Sequence, residues 1–179
     1  MRAQHIAKSE IDGALASLIG LPISRAWRGY GSTIFLELGT LSPYENQKGN
    51  NSPRGEVSLM INWSWRFEKD RSIWFGAFSG LKKIDNRLPQ LLGHTVKAAS
   101  LEGRLPEIRL ALSDNLWFSS FMCEQGQQEW VIFDSSHAYY AKARSFYKEP
   151  RREANKSVLP TGMNPTTSTP NHLNCPAAD

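Results

Sequence analysis

From Val57 to Phe67 apolar and polar residues alternate. Val57, Leu59, Ile61, Trp63, Trp65 and Phe67 fall on one side, and Ser58, Asn62, Ser64 and Arg66, with Met60, on the other. A period of two over this length predicts one long strand within 56–67. Shorter apolar stretches predict strands near 22–28, 33–38 and 72–78, and again near 95–101, 106–112, 115–123 and 128–134. Glu68-Lys69-Asp70 reads as a polar hairpin turn, with Gln125-Gly126-Gln127 as its counterpart and Ser113-Asp114-Asn115 as a further short turn. His137–Phe146 fits a strand or a helix, and its periodicity does not decide between them.

Two segments follow the helical period instead. Ile11, Leu15, Leu18 and Ile19 lie on one face of a helix that Gly20 ends. Ile84, Leu88, Leu91 and Leu92, followed by Gly93, repeat the pattern 73 positions later, with Asp85 matching Asp12. Ser9 with Asp12 suggests a capping box at the first helix. Pro89 predicts that the second is short or begins late. Ile23 then matches Val96, and Ile34, Leu36 and Leu38 match Ile108, Leu110 and Leu112 at an offset of 74. Trp65 and Trp74 share their spacing with Phe121 and Trp130 at an offset of 56, the difference being the Pro/Asn/Gly-rich loop 39–55. The expectation is an internal duplication: repeat one over about 9–80, repeat two over about 82–150, each a short helix followed by about four antiparallel strands. The fold class is α+β, with two related antiparallel sheets or one long sheet and helices against one face.

Composition fits one globular domain over 1–150: 40% hydrophobic and 21% charged residues in 179. No apolar run approaches the ~20 residues that cross a bilayer. The first ten residues are polar and carry no secretory h-region. Cys123 and Cys175 make a poor disulfide framework, so a reducing cytoplasm is the expected compartment, with Cys123 a small buried side chain. The formal charge of +4 is uneven: Lys142–Lys156 holds six basic and two acidic residues, and the rest of the chain is nearly neutral. Residues 151–179, rich in Pro, Thr and Asn, read as a disordered tail.

No phosphate-binding, dinucleotide, metalloprotease or nucleophile-elbow motif occurs. The histidines at 5, 94, 137 and 172 lie far apart, so neither metal nor cofactor is expected. Asp134-Ser135-Ser136-His137 reads first as an Asx or Ser turn. A small hydrolase using Asp134, His137 or Glu102, Glu107 and Glu129 is the weakest alternative, and would need a pocket that brings two of them together. Of the six tryptophans, Trp63, Trp65 and Trp130 fit inward strand positions, while Trp27, Trp74 and Trp117 suit a core or a partner-binding surface. Trp117 alternates with Phe121 opposite the Leu116/Phe118 face. If exposed, Trp74, Trp117 and Phe121 would anchor a protein partner. Lys142, Arg144, Lys148, Arg151 and Arg152, interleaved with Phe146 and Tyr147, are candidate nucleic-acid contacts.

The segments 55–76 (GEVSLMINWSWRFEKDRSIWFG) and 101–134 (LEGRLPEIRLALSDNLWFSSFMCEQGQQEWVIFD) resemble small uncharacterised bacterial proteins with a duplicated helix-and-strands repeat, similar to immunity-type proteins. That resemblance implies a non-enzymatic module that blocks a partner protein, and carries no catalytic residues with it.

Overall fold

The computed structural model describes residues 3–44, 52–62, 64–123 and 128–151. It is α+β and mostly strand. In order the elements are β1 (Gln4–Ile6), α1 (Lys8–Ala16), β2 (Ile23–Arg28), β3 (Ile34–Leu38), β4 (Val57–Ile61), β5 (Trp65–Lys69), β6 (Ser72–Gly76), α2 (Leu81–Arg87), β7 (Val96–Glu102), β8 (Glu107–Leu112), β9 (Leu116–Ser120), β10 (Trp130–Phe133), β11 (His137–Lys142) and β12 (Ser145–Pro150). Two antiparallel sheets result, a seven-stranded one ordered β1-β12-β11-β10-β4-β3-β2 and a five-stranded one ordered β6-β5-β9-β8-β7. Their inner faces and both helices share one apolar cluster.

The helices form where the apolar spacing places them. α1 buries Ile11 and Leu15, with Leu18 beyond its end. The capping box does not form, because the helix begins at Lys8 with Ala7 as its cap and no side-chain cap bond. Lys8 Nζ instead reaches Asp12 at 2.7 Å across the first turns. α2 buries Ile84 and passes into a single 3-10 turn, Leu88–Leu91, whose first residues include Pro89. Gly20 and Gly93 close the two segments at φ 89° and 85°, a conformation that disfavours any side chain. The fourth apolar residue of each segment leaves the buried face, Ile19 and Leu92 both being 48% exposed.

The long strand expected within 56–67 is two strands. The chain leaves the seven-stranded sheet at Ile61 and enters the five-stranded sheet at Trp65. The alternation hides this break for a physical reason: both sheets turn the same side toward one core, so Val57, Leu59, Ile61, Trp65 and Phe67 are all buried across it. The reverse crossing runs from β9 to β10. Asn62 N–H donates to Glu129 O at 2.7 Å and Phe121 N–H donates to Ser64 O at 2.9 Å, so the two crossings are bonded to each other. Each sheet thus joins three consecutive strands of one half to a hairpin from the other, β2-β3-β4 to β10-β11 and β7-β8-β9 to β5-β6, and the seven-stranded sheet adds β12 and β1 beyond its hairpin.

Other hydrogen bonds recur in pairs. Gly20 N–H donates to Val96 O and Gly93 N–H to Ile23 O; Ile23 N–H donates to His94 O and Val96 N–H to Leu21 O. Trp65 and Trp130 each begin a strand after a crossing, and each donates its Nε1–H to a carbonyl just ahead of a strand, Ser32 O before β3 at 2.8 Å and Pro106 O before β8 at 2.6 Å. Trp65 and Trp130 thus hold similar places, each at the start of the strand that follows a crossing. The strands expected at 115–123 and 128–134 are shorter, β9 and β10. Residues 137–146 form β11 and the start of β12, joined by a turn with Ala143 at φ 55°. Cys123 is exposed rather than buried. Trp63, the turn 125–127, Cys175 and the tail from 152 lie outside the described residues.

Candidate functional site

On β9 the side chains of Leu116, Phe118 and Ser120 are buried, which turns Trp117 and Ser119 outward, with Phe121 following. The same alternation exposes Arg66 and Glu68 on β5, and Arg109 and Ala111 on β8. Register sets Trp117 between Glu68 and Ala111, with Ala98 of β7 next in line, so small side chains leave a flat floor beside the indole. The Arg109 guanidinium lies 4.8 Å from the Trp117 ring and is held by Glu102 at 2.8 Å. The hydrogen bond that Arg109 donates to Glu102, opposed by burial, raises the Arg109 pKa further. Arg66 lies 5.5 Å from the Phe121 ring and is held by Glu68 at 2.7 Å. Two aromatic rings, each beside a cation fixed by its own carboxylate, thus share one outer face. Trp117 is 36% exposed there.

Trp74 is elsewhere. It lies at the β6 edge, packed partly against the core, with Phe75 edge-on at 5.1 Å, Arg87 of α2 at 5.1 Å and Lys69 at 5.9 Å.

Among the described residues the basic segment does not form one patch. Lys142 and Arg144 are exposed around the β11–β12 turn. Lys148 points to α1, with Nζ 3.6 Å from Glu10 and 5.5 Å from the Tyr139 ring. Arg151 donates to the Asp134 carbonyl at 2.6 Å and lies 5.7 Å from Phe133. Burial, with repulsion from Arg54, lowers its pKa. Arg152 is outside the described residues.

Asp134 forms an Asx turn, its Oδ1 accepting the N–H of Ser136 at 2.7 Å and of His137 at 2.6 Å. Burial pushes its carboxyl up, but these N–H groups, Tyr139 and His137 outweigh it and hold the pKa below the usual range. Asp134 and Tyr139 line a groove of about 350 Å³ with Glu10, Ala14 and Val57. His137 Nδ1 stands 3.9 Å from Asp134. The glutamates are not there: Glu102 holds Arg109, Glu107 accepts the Met122 N–H at 2.9 Å, and Glu129 is buried at a crossing. Among the described residues no three potential metal ligands come together, and no helix is long and apolar enough to cross a membrane.

One feature escaped the sequence reading. Across the outer face of the seven-stranded sheet, register aligns Trp27, Phe35, Met60, Val131, Tyr140, Tyr147 and His5 in one row. Trp27 and Phe35 stack at 4.0 Å, and Tyr140 and Tyr147 at 5.5 Å. Apolar residues at the supposedly solvated positions of several strands were the available signal. No protein-family model, no curated protein and no solved structure matches the chain.

Proposed function

We propose that this chain is a non-enzymatic protein-binding module that blocks a partner, in the manner of an immunity-type or inhibitor protein, and that it arose by tandem duplication. The reading rests on one observation above others: Trp117, with Arg109 alongside, stands partly exposed on the outer face of the five-stranded sheet. Trp and Arg are the residue types that dominate interface energetics, and a cation already fixed by Glu102 loses little entropy on binding. The duplication is supported by the paired bonds at Gly20/Gly93 and Trp65/Trp130 and by the exchange of hairpins between the sheets.

The test is capture of the partner with the intact chain, followed by titration of Trp117→Ala and Phe121→Ala. Trp117→Ala is expected to weaken binding by at least about 2 kcal/mol while the urea midpoint stays put. Equal affinity in both variants would overturn the assignment.

A second reading, single-stranded nucleic acid on the seven-stranded sheet, has its own observation. Tyr140 and Tyr147 stack on the outer face, with Lys142 on the same side and Arg25 5.5 Å from Trp27 farther along the row. Aromatic platforms beside cations hold bases and phosphates. A labelled oligothymidylate should then bind with a steep salt dependence and lose affinity in Tyr147→Ala. Binding indifferent to both would remove this reading.

A further inference from the structure

The four outer edges of the two sheets are not equally protected. Exposed edges invite pairing with another chain, and proteins blunt them with charge, proline or brevity. β1 is only three residues long, β2 carries Arg25 and Arg28, and β7 carries Lys97 and Glu102. β6, Ser72-Ile73-Trp74-Phe75-Gly76, carries no charge and no proline; its pairing with β5 shifts register at Trp74, as the pairings of β2 and β7 also do, and its last residue is closed by Ser79, whose Oγ accepts the Gly76 N–H at 3.1 Å. Among the described residues no strand pairs with its outer side. Ile73 on it is 68% exposed, and Phe78, just beyond, is 82% exposed.

The molecule itself shows what such an edge takes. In the seven-stranded sheet β10-β11 occupies the place that β5-β6 holds in the five-stranded sheet, and there β12 pairs antiparallel along the whole of β11. β6 has no such neighbour.

We propose that the β6 edge is a docking site for an extended segment of a partner protein, in which apolar and acidic residues alternate, added as a further strand. Strand addition supplies main-chain hydrogen bonds, and alternate side chains read the two sides of the sheet. On one side the segment meets Ile73, whose cross-strand line runs through Glu68 to Trp117, so the edge continues the proposed binding face. On the other it meets Trp74 between Lys69 and Arg87. Apolar side chains suit the first side and carboxylates the second. A second copy of this chain fits poorly, because it would set Lys69, Arg71 and Arg87 against their own counterparts. The inference rests on the protein-binding reading and deepens it.

The probe is a short capped peptide alternating valine and glutamate, titrated against the full chain and followed by amide hydrogen exchange. Residues 72–75 should gain protection of about tenfold or more at saturation. Ile73→Lys, at an exposed position, should abolish that gain, and Arg87→Glu should transfer it to the peptide with lysine in place of glutamate. No protection at β6, or equal binding of both peptides by the unaltered chain, would overturn the proposal. So would protection without peptide that rises with protein concentration, which is the signature of self-pairing. Trp117→Ala should leave the peptide response intact. A normal peptide response with an unaffected natural partner would therefore count against the Trp117 face and not against the edge.

Discussion

At the scale of single residues, the turns hold the clearest strain. Ala143 takes φ 55° between β11 and β12, where an L-residue costs about 1–2 kcal/mol. Glycine removes that cost but adds about 0.4–1 kcal/mol of unfolded-state entropy. Ala143→Gly is therefore expected to raise the stability by about 0.5–1 kcal/mol, read from the urea midpoint. Asp134 gives a pH dependence. Its carboxyl titrates below the usual range, because the N–H groups of Ser136 and His137, with Tyr139 and His137, overcome the effect of burial. A group with a depressed folded pKa contributes stability above its unfolded pKa of about 3.9 and loses it as pH falls through the folded value. Asp134→Ala should cost about 1 kcal/mol at pH 7 by unfolding its turn bonds, and the gap to the parent should narrow at pH 3. A gap that stays constant would show that the charge of Asp134 contributes nothing.

At the scale of elements, the two crossings depend on their tryptophans. Trp65 and Trp130 are fully buried, and each indole N–H donates to a backbone carbonyl. Trp65→Phe and Trp130→Phe each keep an aromatic ring but remove that bond. The expected cost is about 2–3 kcal/mol in each case, from the lost bond and the smaller ring. Similar penalties at the two sites would match their equivalent positions. A neutral result at one of them would mean that the crossing closes in some other way. The Arg28–Asp85 pair, bidentate at 2.7 and 2.9 Å, ties β2 to α2, whereas the matching Asp12 reaches only Lys8 of its own helix. The two halves are thus similar in backbone bonding and different in their surface ion pairs.

At the scale of the molecule, neither half completes a sheet of its own. Residues 1–80 contain β1, α1, β2-β3-β4 and the hairpin β5-β6, but β1 pairs only with β12 and the hairpin only with β9, both from the other half. Three short strands and an orphan hairpin bury too little apolar surface to fold alone. Fragments 1–80 and 81–151 are expected to be unfolded separately by circular dichroism and to regain strand signal when mixed in equal amounts. Cooperative unfolding by either fragment alone would refute this dependence. The intact chain should unfold in a single transition, since every route through the core crosses both sheets.

The sequence by itself determined the local elements. Period-two runs place β2, β3, β8 and β9, and the spacing of Ile11, Leu15 and Leu18 places α1, because a side chain's burial depends first on which way its own backbone turns it. Asp114-Asn115, with positive φ at both positions, falls at a turn read from its polar residues, whereas the turn expected at Glu68–Asp70 lies at Asp70-Arg71, Glu68 and Lys69 belonging to β5. Strand β1 was too short to leave a pattern. Sheet membership belonged to the tertiary structure alone. Alternation across 57–67 is the same whether the strand continues or crosses between sheets, since both inner faces bury the same parity of residues. The candidate site divides along the same line. Trp117 and Phe121 share a face because they are four residues apart near one strand, which the sequence shows. Their union with Arg66, Arg109 and Ile73, the separation of Trp74 and the scattering of the basic segment come from cross-strand register, a relation between residues far apart in the chain.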